Sequence, residues 1–217
     1  IITGLPYFVN KLVLSLSAFD KANSYVGLDM SRGILYKVRY LLHLLNADIV
    51  YSIGGFAGFS RAVLLAFLLK KKYIMHWVGT DVTDAARAFE SSLKYSAITG
   101  RVAHFSEAPW LKDELSAIGI DAPVLPIFTY KNVHAKLEEF PEKFSILSYV
   151  SSGREDFYGM DKIVKLAKDF HDIEILICGI SASKKSLPPN IRLLGWVDDM
   201  CGQYKNCVLF LRLVKHD

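Results

Sequence analysis

The sequence has too little cysteine for a disulfide scaffold. Cys178, Cys201 and Cys207 are an odd set with no C-x-x-C spacing, which also argues against a structural zinc site and points to a reducing, cytoplasmic location. Long apolar runs are missing too: the longest, AVLLAFLL (62–69), is far shorter than the roughly 20 residues a membrane-crossing helix needs. Charge of one sign is not concentrated. Apart from Lys70-Lys71-Lys72 the 26 Lys and Arg are scattered, which argues against the basic stripe of a nucleic-acid groove and favours anionic small ligands or a membrane surface as partners. No carboxylate pair at catalytic spacing, nucleophile elbow, metal-ligand cluster or D-x-D motif occurs, so metal-dependent chemistry has no support.

What is present is a 217-residue chain of 52% hydrophobic content and net charge +4, enough for one large core or two small ones. Short apolar runs alternate with longer amphipathic ones, the pattern of parallel sheets with crossover helices. Strands are expected at 1–3, 47–53, 73–77 and 102–105. Helices are expected at 8–18, 34–45, 60–70, from Thr83-Asp84 to 98, and at 109–118, with Asn46 placed as a helix C-cap. After APVLPIF the polar stretch YKNVHAKLEEFPEK reads as a linker. A second alternation then runs through the strands FSILSYV, IEILICG, IRLLGWV and VLFLRL, with helices at 160–170 and from Met200. The division expected is 1–130, a linker 131–142, and 143–217. Because the chain opens at Ile1 and stops at Asp217 directly after VLFLRLV, it reads as a fragment whose second domain is incomplete. The fold class is α/β, with two Rossmann-like parallel-sheet domains facing across a cleft.

In open parallel sheets, ligands bind beyond the carboxyl ends of the strands. The loop Ser151-Ser152-Gly153-Arg154 follows a strand and precedes a helix, so backbone N–H groups, hydroxyls and one guanidinium suit a phosphate or diphosphate. The alternative is Arg154 paired with Glu155 or Asp156 on a solvated loop. TGLPYF supplies Gly4 but lacks the second and third glycines of a dinucleotide fingerprint. Gly54-Gly55 with Gly58 either meets a phosphate or allows close helix–strand packing. The stretch KYIMHWVGTDVTD (72–84) ends a strand in His76 beside Gly79-Thr80-Asp81. Either the imidazole is a satisfied strand-end residue, or a flexible turn lets substrate reach it. Strand alternation directs Trp77 away from His76 and into the core. His43, His104, His134 and His171 show no partner pattern.

Taken together, HWVGTD, EAPWLKDELSAIGIDAPVLPI and SYVSSGREDFYGMDKIVKLAKDF followed by IEILICG and NIRLLGWVD resemble glycosyltransferases of the GT-B fold, closest to family 4. The resemblance covers nearly the whole chain. It implies an N-terminal acceptor-side domain and a C-terminal domain that binds a nucleotide-diphosphate sugar. Transfer in the cleft would go to a saccharide or lipid-linked acceptor, with retained anomeric configuration, no bound metal and no cofactor beyond the sugar nucleotide itself. Position by position, Arg154 matches the arginine that neutralises the donor diphosphate, with Ser152 and Gly153 in its loop and Gly179 closing the following apolar strand. His76 matches the histidine near the reacting sugar, and Gly4 the glycine turn after the first strand. The family's Lys-Gly after the arginine loop is replaced, one residue early, by Tyr158-Gly159, which donates one hydrogen bond but brings no charge. The paired glutamates that grip the donor would lie past Asp217. Two other functions compete: a non-catalytic sugar-nucleotide-binding or assembly subunit, and an NAD(P)-dependent oxidoreductase, which the single glycine of TGLPYF disfavours. The helix SRAVLLAFLLKKK (60–72) has two readings as well: peripheral contact with anionic lipid, or burial against the sheet with its lysines in solvent.

Overall fold

The computed structural model describes residues 1–29, 33–54, 61–91, 102–127 and 140–216, and the chain divides into two compact units, Ile1–Lys131 and Asn132–Asp217. The first contains β1 (Ile2–Gly4), α1 (Pro6–Phe19), β2 (Gly27–Leu28), α2 (Ile34–Asn46), β3 (Ile49–Ile53), α3 (Arg61–Leu68), β4 (Lys72–Trp77), α4 (Thr80–Ser91), β5 (Ala103–Ser106) and α5 (Pro109–Ala117). Its sheet runs β2-β1-β3-β4-β5, with parallel pairing throughout. Both faces are covered, which is why its strands read as near-continuous apolar runs. On one face Val50, Tyr73, Met75 and Trp77 pack with Tyr40 and Leu44 of α2, Val63 and Ala66 of α3, and Leu111 and Leu115 of α5. On the other, Ile2 and Ile53 pack with Val9 of α1.

Local chemistry sets where these helices begin and end. Pro6 opens α1, where its missing N–H leaves no donor unpaired. Asp20 ends the helix: its N–H donates to Leu16 O (2.8 Å), and its carboxylate accepts from Ala22 N (2.9 Å) and Asn23 Nδ2 (2.8 Å). That turn leads to β2, a strand of two residues too short to leave a period-two pattern. Asn46 is not the C-cap expected. It is the last helical residue of α2, and Ala47 caps at φ −86, because the chain runs on extended toward β3 and needs no left-handed residue. The left-handed cap follows α3 instead, where Lys70 has φ +53 and the N–H groups of Lys70 and Lys71 donate to Phe67 O and Ala66 O (both 2.9 Å). α4 also starts three residues before the expected Thr83. The Asp81 carboxylate accepts from Gly79 N (2.8 Å) and Val78 N (3.2 Å), which stabilises the helix entry and places negative charge at its positive end. The expected end of that helix, at 98, lies outside the described residues.

The second unit contains β6 (Ser145–Tyr149), α6 (Met160–Asp169), β7 (Glu174–Cys178), β8 (Ile191–Gly195), α7 (Met200–Lys205) and β9 (Leu209–Leu211). Its parallel sheet runs β8-β7-β6-β9. Met160, Ile163 and Ala167 recur on one face of α6 and are buried; enclosing Ile163 alone is worth about 1.5–3 kcal/mol. Asn190 Nδ2 reaches the carbonyls of Ala167 (3.0 Å), Phe170 (3.1 Å) and Ile173 (2.9 Å), closing the end of α6 and tying it to the start of β8. Two serines of β6 hold the segment around the short β9: Ser145 Oγ donates to Asn206 O (2.9 Å) and Ser148 Oγ to Leu211 O (2.8 Å). Most of the expected linker, residues 131–139, lies outside the described residues. No helix among them is long and apolar enough to cross a membrane.

Candidate functional site

At the carboxyl edge of the second sheet, the loop after β6 folds back on itself before α6 begins. The Arg154 N–H donates to Ser151 O (3.1 Å), and Arg154 O accepts from Phe157 N (3.0 Å) and Tyr158 N (3.1 Å). Gly153 sits at φ +76 with open space where a Cβ would be, and Ser152 beside it is exposed. This turn lifts the Arg154 side chain into solvent, its guanidinium carbon 4.3 Å from the Phe157 ring centroid and 5.8 Å from that of Tyr158. Among the described residues no carboxylate pairs with it. Of the expected alternative partners, Glu155 forms no ion pair with it and Asp156 is held by Lys185 at 3.0 Å, the same ammonium holding Asp161 at 2.6 Å. Hydrogen bonds to Asp161 first and Asp156 second raise the Lys185 pKa above its ordinary value.

Tyr158 is half-buried and packs edge-on against Tyr149 and Phe157, both at 5.3 Å between ring centroids. Its ring backs Phe157, the nearer ring to the Arg154 guanidinium. Gly179 ends β7 at φ +92, where a Cβ would lie 2.5 Å from Val150 O. Only a glycine lets the ends of β6 and β7 pass this closely. The segment after β9 joins the same edge, with Lys215 N donating to Phe157 O (3.1 Å). Three loops thus meet at this edge: the exposed Arg154 guanidinium is suited to phosphate oxygens, whereas Lys185 is already compensated by Asp156 and Asp161 and Lys215 joins through its backbone N–H. The sequence reading missed Lys185, which anchors this edge through its two aspartates. The only signal was the lysine pair in SASKKSLPPN, because the aspartates that anchor Lys185 lie 29 and 24 residues away.

In the first unit, Gly4, Ile53, His76 and Phe105 stand in register across the carboxyl end of the sheet. Gly4, at φ +115, would put a Cβ 1.9 Å from Ile53 O, so its lack of a side chain serves backbone approach to β3. The expected flexible turn beside His76 is the firm start of α4, and the ring is 0% exposed. Nδ1 is hydrogen-bonded to the Tyr51 hydroxyl. Burial lowers the His76 pKa to about 4, with the Leu125 backbone acting the other way, and burial raises that of Tyr51 to about 12. At neutral pH both groups are therefore uncharged, and the bond joins the phenol to a neutral imidazole, the donor being set by which ring nitrogen carries the proton. Nε2 has no hydrogen-bond partner among the described residues. Trp77 is fully buried on the opposite face, as strand alternation requires. Its indole N–H donates to His104 Nδ1 at 3.1 Å, so His104 is a buried partner and not the unpaired filler its sequence context indicates. Gly55 and Gly58 lie outside the described residues. Among those described, no group of three or more His, Cys, Asp or Glu is placed to hold a metal ion.

No family model and no curated protein matches the chain. Solved structures do match it. MnaA of S. aureus, solved with UDP, aligns at TM-score 0.54 and 12% identity over 96% of this chain and 72% of that one. The UDP-GlcNAc 2-epimerase of Methanocaldococcus jannaschii, in complex with UDP-GlcNAc and UDP, aligns at TM-score 0.53 and 14% identity over 96% and 76%. A putative UDP-N-acetylglucosamine 2-epimerase of Listeria monocytogenes gives 0.53 and 15% over 96% and 72%. At such identities the likeness is one of fold: two parallel-sheet α/β units of the GT-B type.

Proposed function

We propose that the chain binds a nucleoside diphosphate sugar at the carboxyl edge of its second sheet and acts as a glycosyltransferase, passing the sugar to a saccharide or lipid-linked acceptor. The observation that carries this is Arg154: exposed, stacked on Phe157 and without a carboxylate partner among the described residues. Its loop also carries the family resemblance, and the fold is one in which solved relatives hold UDP. In transfer, the acceptor hydroxyl oxygen bonds to the anomeric carbon on the face the diphosphate leaves, the bond from that carbon to the diphosphate oxygen breaks, and the hydroxyl proton passes to the departing diphosphate. Positive charge develops on the sugar and negative charge on the leaving diphosphate, where Arg154 stabilises it. Metal independence and retention of configuration belong to the same reading. His76 enters as a residue that fixes the β4–α4 junction through Tyr51, since its ring has no exposed surface.

Radiolabelled UDP-, GDP- and ADP-sugars, incubated with the chain and an acceptor panel in EDTA, test the proposal. Transfer predicts label on the acceptor and an equal amount of free nucleoside diphosphate. A second reading, epimerisation, is favoured by two of the solved structures aligned above a TM-score of 0.5, which are described as UDP-GlcNAc 2-epimerases. It predicts label retained on the nucleotide as a stereoisomer separable by chromatography. The enclosure of His76 favours a third, the non-catalytic subunit, which predicts calorimetric binding without either product.

A further inference from the structure

We infer that the outward face of α2 docks the chain on an anionic lipid surface. Ile34, Leu35, Val38, Leu41, Leu42 and Leu45 are between 41 and 78% exposed. At 3.6 residues per turn they fill one arc of about 120°, while Tyr40 and Leu44 on the far side are buried against the sheet. Exposed aliphatic side chains scattered singly are ordinary; six on one face of one helix make a contiguous patch, and such patches mark interaction sites.

The borders of the arc indicate what covers it. Lys37 and Arg39, both exposed, fall about 40° beyond its two edges. Lys71 closes one end, its ammonium donating to Leu45 O at 3.0 Å, with exposed Lys70 and Lys72 on either side of it in the chain. Between Met30 and Thr80 the sequence carries seven Lys or Arg and a single acid, Asp48, whereas the whole chain has a net charge of only +4. An aliphatic arc edged by cations complements a bilayer interface, where hydrocarbon lies just beneath anionic phosphates and long basic side chains reach up to them. A second copy of the chain would set these cations against the same cations, which opposes self-association through this face. The docking is peripheral. It is assigned to α2, whose arc carries six exposed aliphatic side chains, whereas α3, the helix on which the sequence placed a candidate lipid contact, exposes Leu64 and Leu68 and buries Val63 and Ala66. The inference is independent of the sugar-nucleotide reading.

Vesicle co-sedimentation of the 217-residue chain tests it, with phosphatidylcholine alone and with equal parts phosphatidylcholine and phosphatidylglycerol. Partitioning should be at least about tenfold stronger on the anionic vesicles and should weaken with added salt. Val38→Glu/Leu42→Glu and Lys37→Glu/Arg39→Glu should each abolish that preference while leaving the melting temperature unchanged, because all four side chains face solvent. Absence of binding to anionic vesicles, or binding that survives the Val38→Glu/Leu42→Glu change, would overturn the proposal. So would sedimentation equilibrium showing a dimer that the same double variant dissociates, since a second copy would then cover the face.

Discussion

His76 and Arg154 stand at corresponding places, each at or just beyond the carboxyl end of an interior parallel strand, yet the two units treat them in opposite ways. The first encloses its imidazole between Tyr51, Phe105 and the Leu125 backbone. The second turns its guanidinium out over Phe157. The difference follows from what each group tolerates. An imidazole enters a core by giving up its proton, whereas an arginine cannot, so an arginine without a partner must stay in solvent. Position at a strand end marks both as candidates, but only Arg154 is placed to meet a ligand directly.

The contrast is most exposed to a glycine test. Gly4→Ala forces a Cβ against the Ile53 carbonyl and should cost the first unit more than about 4 kcal/mol. Gly153→Ala meets only open space and should cost about 1–2 kcal/mol, the strain of a left-handed residue. Urea unfolding that returns equal losses would remove the distinction between a packed and an open strand end.

Acid should act next. With a folded pKa near 4 against about 6.5 unfolded, His76 leaves the unfolded chain binding more protons between those values. Stability is therefore complete above pH 6.5 and falls as pH drops toward 4, by on the order of 3 kcal/mol. Hydrogen exchange of the β4 amides follows it, and His76→Gln should flatten the slope. A flat profile in the wild type would mean that the ring is open to water.

Arg154→Ala should weaken UDP or GDP binding by about 1.5–3 kcal/mol with an unchanged melting temperature, as measured by calorimetry. Unchanged affinity would reduce Arg154 to a solvated loop residue. The smallest effect expected is a gain: Lys70→Gly relieves a left-handed lysine at the end of α3 and should raise stability by about 0.5–1 kcal/mol in denaturant titration.

Much of this fold was legible before any coordinates. The alternation of apolar runs placed eight of the nine strands among the described residues, and it sent Trp77 and His76 to opposite faces of β4. It missed β2, where two residues carry no period, and it began α4 too late, because Asp81 reads as a turn residue until its carboxylate is seen accepting from Val78 and Gly79. Of the site, the loop Ser151 to Arg154 was visible as a glycine and a cation between strand and helix. Lys185 was not, since nothing local to SASKKSLPPN names its aspartates.

Periodicity, the linker composition and the loop chemistry of SSGRE are properties of neighbouring residues, so the amino-acid order alone determined two parallel α/β units and the loop on which a phosphate site would form. Which polar group is enclosed and which is open was decided only by tertiary structure. Tyr51 meets His76 across 25 residues and Lys185 meets Asp161 across 24, and α2 keeps its aliphatic arc outward because Tyr40 and Leu44 win the place against the sheet. The physical reason is that burial and pairing free energies depend on what the fold brings within a few ångströms, and local sequence does not specify that.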